Sequence, residues 1–343
     1  MLAVPAMAES EPKAESDAAL VPASPAVSLS VVADTPPIHS LVSMVLGDQA
    51  TPALLISNGA TPHHYSLKPS EASLLAEADI LFWTSANLTP WLPRAIESIA
   101  AGTPAVELLA TPGSRILPAR ESAIFSHKAH AEDDEHDDHK EDDYHADKHD
   151  NHKKEDEPVA QSDEHSDSEL VDPHAWLDPQ NAQLWLEVIA TTLAVHDPAN
   201  SSYYEANAQR GITRIDEVID HIRDELSEHQ TAPYIVFHDS YHYFEEQFDL
   251  LPLAAINLSD ATEPSIKQIT QLRQLLQPHE KPCVFSEPQF SQRLIDTVTR
   301  GMDIKHGSLD PLGSRLQTGQ TLYTQLLLGL STSLSACFTQ SAG

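Results

Sequence analysis

The stretch DPANSSYYEANAQRGITRIDEVIDHIRDELSE, residues 197–228, decides the reading of the fold. Asp197-Pro198 is a helix-opening pair, and no proline follows it before Glu228. Ile212, Ile215, Val218, Ile219, Ile222 and Leu226 recur at steps of three and four, which puts them on one helix face. About 30 residues of helix would run about 45 Å. That is long for a globular protein and suits a strut joining two domains. Two helices broken near Gly211 are the alternative.

On both sides of this helix, strands alternate with helices. Before it, Leu29 to Ala33 reads as a strand, and Ile38 to Leu46 as a helix stopped by Gly47. Ala53 to Ile56 is a short apolar run, and Ser70 is placed to cap the next helix. Ile80 to Trp83 reads as a buried strand, Trp91 to Ala100 as a helix ending before Gly102, and Val106 to Leu108 as a strand. Asp178-Pro179 opens a helix through Val195. After the long helix, Tyr234 to Phe237, Leu253 to Ile256 and Cys283 to Phe285 read as strands. Tyr241 to Phe248, Glu263 to Leu276, Ser291 to Arg300 and Gly319 to Leu334 read as helices. The expected fold class is α/β, with two lobes, each a mostly parallel sheet flanked by helices, joined by one long helix. The expected division is a leader remnant and lead-in at 1–28, an N-terminal lobe at 29–196, the linking helix at 197–229 and a C-terminal lobe at 230–343.

The alternation breaks at residues 127–165. These 39 residues hold eight His, sixteen Asp plus Glu and five Lys, and show no apolar periodicity. Such a segment cannot bury enough apolar surface to offset the entropy of ordering, so a flexible insertion is expected. Its histidines are His127, His130, His136, His139, His145, His149, His152 and His165. Solubility would need the acids but gains nothing from imidazoles that are mostly neutral at pH 7. Histidine-rich tracts are a metal-binding composition, so weak, multiple metal binding is expected there.

The chain of 343 residues carries a formal charge of −32. That excludes a nucleic-acid binder that reads phosphates with a basic face, and it suits a protein that handles cations. No stretch reaches the roughly 20 apolar residues needed to span a bilayer. Ala6-Met7-Ala8 before Glu9 reads as the end of a secretory signal peptide whose basic start is missing, so export with a truncated leader is expected. In an exported protein the two cysteines, Cys283 and Cys337, read as one disulfide.

Three histidines stand in loops next to expected strands or helices. His63 lies in GATPHHYSLKPS (59–70), His174 in DPHAWLDP (172–179) and His238 in VFHDSY (236–241). Loops after strand ends are where open α/β sheets place their sites. Any one loop histidine is more often solvated or structural. Three in equivalent places make a metal site a serious reading.

These segments, together with Cys-Val-Phe-x-Glu-Pro-Gln-Phe (283–290) and Leu-Asp-Pro-Leu-Gly (309–313), occur in an order that resembles the zinc-specific periplasmic binding proteins of ABC transporters. The resemblance covers roughly residues 29–340. It implies two α/β lobes joined by a long helix, a disulfide between Cys283 and Cys337, and Zn2+ held between the lobes by His63, His174 and His238. It also implies a periplasmic location and a membrane permease as partner, with periplasmic zinc chaperones as a further class. A monomer is expected, and no enzymatic activity. Some relatives place Glu just before the first ligand. Here that residue is Pro62, which has no ligating atom, so the fourth ligand is left between water and Asp310, with His64 one residue out of register. Manganese-binding relatives carry Glu at the position of His238, and three imidazoles suit zinc better. Asp239 and Glu287 are expected to orient the imidazoles, and His39 is read as structural or supporting. Two other functions compete: a zinc hydrolase or hydratase using the three-His site, and a zinc-buffering protein acting through the insertion. Neither an H-E-x-x-H nor a G-x-S-x-G motif is present.

Overall fold

The computed structural model describes residues 29–57, 59–125, 170–258 and 264–340. The leader remnant and the eight histidines of 127–165 lie outside the described residues. The apolar triplet Val31–Ala33 forms β1, wholly buried, because it lies centrally in a parallel sheet covered on both faces. β2 (Ala53–Leu54), β3 (Ile80–Trp83) and β4 (Ala105–Glu107) complete this sheet in the order β2-β1-β3-β4. The second half repeats that order. β5 (Tyr234–His238), β6 (Ala254–Asn257), β7 (Cys283–Ser286) and β8 (Lys305–Ser308) run β6-β5-β7-β8, again all parallel. In each sheet the strand order reverses beside the first strand, the place where such sheets open a crevice at their carboxyl ends.

The helices are α1 (Pro36–Leu46), α2 (Pro69–Ala76), α3 (Leu92–Ile99), α4 (Pro179–His196), α5 (Ser201–Leu226), α6 (His242–Gln247), α7 (Ile266–Leu276), α8 (Gln292–Thr299) and α9 (Leu322–Thr339). α1 ends at Gly47, whose φ of 57° is open to glycine and strained for other residues. α5 is one continuous helix of 26 residues, about 39 Å long. It does not break at Gly211, where the missing side chain lets Leu186 of α4 lie against the helix. A short 3-10 turn at 198–200 precedes it.

One expectation is corrected and one strand is added. Ser70 does not cap α2. Pro69 takes the first helical position, where its missing N–H costs nothing, so the cap falls on Lys68. The Glu71 carboxylate accepts the Lys68 backbone N–H at 2.8 Å. β8 was not anticipated. It is an edge strand of sequence KHGS with half of its positions exposed, and carries no apolar pattern to read. Smaller shifts affect the last helices: α7 starts at Ile266 under a Ser265 cap, and α9 runs on to Thr339.

The main core is continuous across both halves. Val31, Ile80 and Phe82 of the first sheet share one cluster with Val236, Ala255 and Phe285 of the second, through residues of α1, α4, α5 and α9. Two smaller clusters fill the outer faces of the sheets, around Leu81 and Leu92 in one and Ile256 and Leu272 in the other. The disulfide joins Cys283 on β7 to Cys337 on α9. Among the described residues no helix is long and apolar enough to cross a membrane.

The chain between β4 and α4 crosses from one half to the other. Residues 117–119 pair with 170–172, with Ala119 N–H on the Leu170 carbonyl and Asp172 N–H on that of Leu117. A few residues on, Ile124 makes an antiparallel bridge to Ala254 at the edge of the second sheet. This strap therefore ties the approach to His174 to the strand beside β5.

Candidate metal centre

Three elements bring three imidazoles together. His63 sits in the loop between β2 and α2. That loop is held by Trp91, whose indole N–H donates to the Pro62 carbonyl at 2.9 Å. His174 precedes a 3-10 turn at Ala175–Leu177, fixed by the Trp176 indole N–H on the Pro311 carbonyl at 2.8 Å. His238 is the last residue of β5, the strand at which the second sheet reverses order. One ligating nitrogen of each lies within 4.8 Å of the other two. His174 and His238 are buried and His63 is partly buried. The rings meet edge to face, with His174 central, 5.4 Å from His63 and 5.3 Å from His238 between centroids.

Carboxyl groups behind the rings decide which nitrogens face inward. His174 Nδ1 lies 2.8 Å from Asp172 Oδ1, which also accepts the His174 backbone N–H at 2.9 Å. His238 Nδ1 lies 2.7 Å from Glu287 Oε1. A carboxylate only accepts, so each Nδ1 carries the proton and each Nε2 presents a lone pair. Burial alone would raise the Asp172 pKa. The adjacent His174, which donates both its Nδ1–H and its backbone N–H to Asp172, outweighs burial and holds that carboxyl well below the usual range. His63 Nε2 and His174 Nε2 stand 3.3 Å apart. Two nitrogens bound at about 2.05 Å in a tetrahedron would be about 3.3 Å apart, so the spacing fits one small ion.

The other candidates lie elsewhere. Asp310 is outside this group, and both of its oxygens are engaged. Oδ1 accepts from Gln289 Nε2 and from Leu312 N–H, and Oδ2 from Ser314 Oγ and Arg315 N–H. His64 is exposed. His39 is buried in α1 with Nε2 2.9 Å from the Pro52 carbonyl, so it ties the helix to the approach to β2. Burial holds its pKa below the ordinary value, against that hydrogen bond. Glu287 lies against the His238 imidazole, whereas Asp239 lies against Arg120. Side chains alternate along a strand, so the residue after His238 points to the side opposite that imidazole. Asp239 accepts instead from Arg120 Nη1 at 2.7 Å, and the same nitrogen reaches Glu245 at 2.8 Å. Burial pushes Asp239 and Glu245 up, Glu245 to about 7, and Arg120 opposes this.

Asp172 is the group that sequence reasoning passed over. Its signal was present: an acid two residues before a candidate ligand, with Pro173 fixing the turn between them.

The pocket around the three rings is lined also by Thr61, Pro62, Trp176, Gln289 and Phe290 and has a free volume of about 20 Å3. A larger cavity of about 610 Å3 lies at the far end of the second sheet, between α7 and the loops at 277–282 and 301–303, and touches none of these residues.

Fold and site together define a two-lobed α/β protein with three histidines, able to hold a metal ion, converging where its lobes meet. The chain belongs to the family described as ZnuA, zinc-uptake complex component A, periplasmic, whose profile matches residues 31–337. It is 38% identical over 308 residues to the high-affinity zinc uptake system protein ZnuA of Paracoccus denitrificans, covering 90% of this chain and 91% of the relative. It is 35% identical over 315 residues to the protein of the same name from Brucella suis, with 90% and 92% covered. A crystal structure of ZnuA superposes with a TM-score of 0.69 at 19% identity, over 91% of this chain and 99% of that one, a likeness of fold. The chain is thus a periplasmic zinc-binding protein of an uptake system.

Proposed function

We propose that the protein captures Zn2+ in the periplasm at His63, His174 and His238 and delivers it to the membrane permease of an ABC importer. The observation that carries this is the convergence of three imidazole nitrogens, two of them on rings oriented by Asp172 and Glu287. Zinc is cargo here. The three-imidazole set is neutral and nitrogen-rich, which suits zinc over manganese. A hydrolase would need a substrate cavity, usually about 300–1,000 Å3. The free volume of about 20 Å3 at the site holds an ion and little more, which favours a receptor. We further propose that residues 29–196 and 230–343 act as the two lobes and 197–229 as their strut. The segment 127–165 serves as an accessory low-affinity zinc site. The working unit is a monomer that meets periplasmic zinc chaperones and the permease.

Competition titration of the metal-free protein against a chromophoric chelator tests this. It should show one tight zinc site plus weaker ones. His174→Ala and His238→Ala should each abolish the tight site, and deletion of 127–165 should remove only the weak ones. Full tight affinity in both histidine variants would refute the assignment.

A further inference from the structure

The three-imidazole site needs a fourth group, and two buried polar atoms in its wall have no hydrogen-bond partner: Glu287 Oε2, whose other oxygen already braces His238, and Gln289 Oε1. Gln289 lines the same pocket as His63, His174 and His238. Its Nε2 donates to Asp310 Oδ1 at 3.2 Å. Its Oε1 is buried and accepts a hydrogen bond from no described residue. The amide cannot turn over, because that would set Oε1 against an Asp310 oxygen with no proton between them. Asp310 is itself anchored on Ser314 and on the backbone N–H groups of Leu312 and Arg315. The chain of contacts thus runs from a fixed carboxyl group, through a fixed amide, to an acceptor in the wall of the site.

An unpaired buried acceptor is costly, and persists where a ligand supplies the missing donor. An amide oxygen seldom ligates zinc, and a metal-bound water is a strong donor. We infer that Gln289 is a positioning residue that accepts a hydrogen bond from the water completing the zinc shell, and that Asp310 acts through Gln289 and not as a ligand. This rests on the three-imidazole reading above. Pro62 leaves the first loop without an oxygen ligand, so the water is the expected fourth partner. The arrangement keeps the first shell free of carboxylates, which disfavours ions that demand oxygen.

The test uses the full chain, metal-free, with Zn2+ and Co2+ as probes. Gln289→Met keeps the size and removes both the donor and the acceptor. It should weaken zinc binding about 10–100-fold, the usual loss for an outer partner of a metal site. The visible absorption of the Co2+ form, which reports the geometry of the shell, should change with it. Asp310→Ala frees the amide to rotate and should give a similar loss, and the double variant should be no worse than either single one. Zinc affinity within twofold of the parent in Gln289→Met, with an unaltered Co2+ spectrum, would overturn the inference. So would an altered Co2+ spectrum in Asp310→Ala with none in Gln289→Met, because that pattern marks Asp310 as a direct ligand. If Gln289→Met does not fold, Asp310→Ala carries the test alone, and parental affinity with a parental spectrum overturns the inference. His238→Ala separates the two levels. Retained tight binding there sinks the three-imidazole reading, whereas loss there with none in Gln289→Met sinks only the role of Gln289.

Discussion

Replacing Arg120 with Met should destabilise the metal-free protein strongly, and by an amount that grows with pH. Arg120 Nη1 sits 2.7 Å from Asp239 and 2.8 Å from Glu245, and both carboxyl groups are buried. At an effective dielectric constant near 20, each contact is worth about 6 kcal/mol before desolvation is subtracted. Removing one partner of a buried network usually costs about 3–5 kcal/mol net, because the charges left behind lose their counter-ion. A loss of that size should lower the thermal midpoint by on the order of 10 °C. The pH dependence has a fixed sign. Burial raises Glu245 to about 7, and Asp239 is raised as well. A carboxyl whose folded pKa is raised contributes most stability below its unfolded value and loses it as pH rises through the folded one. Without Arg120 both groups rise further. Near pH 5 Glu245 is neutral in the variant, and the gap to the parent is smaller. Near pH 8 the variant must hold buried anions or take up protons, and the gap is full. Because a single nitrogen makes both contacts, Arg120→Lys should recover part of the difference. Thermal melts of parent and variants at several pH values measure this directly. A gap below about 1 kcal/mol that stays flat between pH 5 and 8 would refute the argument and rank the cluster with exposed ion pairs.

Asp172→Asn and Glu287→Gln should each weaken tight zinc binding about 10–100-fold without removing a ligand, as read by chelator competition. Asp34 is fully buried, and burial pushes its pKa up to about 6 against hydrogen bonds from Thr84 and Thr35. Its contribution is complete below about pH 4 and is lost by about pH 7, a change of about 3 kcal/mol, so Asp34→Asn should gain on the parent by that much across the window in denaturant melts. Gly307→Ala should cost about 1–3 kcal/mol, measured by urea unfolding, because a Cβ there would stand 2.3 Å from the Phe285 ring on the paired strand.

Most of the fold was legible because it is written in periodicity. The face of α5 is visible as Ile215, Val218, Ile219, Ile222 and Leu226, all buried. Central strands such as Ile80–Trp83 appear as unbroken apolar runs, since parallel sheets are covered on both sides. β8 was invisible for the opposite reason, being an edge strand with polar positions. The three histidines were legible as residues in ordered motifs. Their supports were less so, because which carboxyl group faces a ring depends on side-chain direction. Asp239 is next to a ring in sequence and turned from it in space, whereas Asp172 is two residues away and on it. Asp310 shows the same limit. Its motif marks it as part of the site, yet only the hydrogen bonds show that its oxygens are already engaged.

The continuous core bears on how zinc is admitted. Domains that hinge freely meet across small polar interfaces, whereas here one apolar cluster runs from Val31 to Phe285 through α1, α4, α5 and α9. Opening the lobes widely would expose that cluster to water. The strap from Arg115 to Phe125 adds polar ties: Arg115 to Asp178 and Glu246, Leu117 N–H to the Tyr243 hydroxyl, and Arg120 to Asp239 and Glu245. Such a frame fixes the buried His174 and His238 relative to each other. His63 is the exception, partly exposed and carried on a loop outside the main core. The three histidines are therefore placed differently: His174 and His238 form a buried pair braced by Asp172 and Glu287, and His63 joins them from a loop pinned by Trp91.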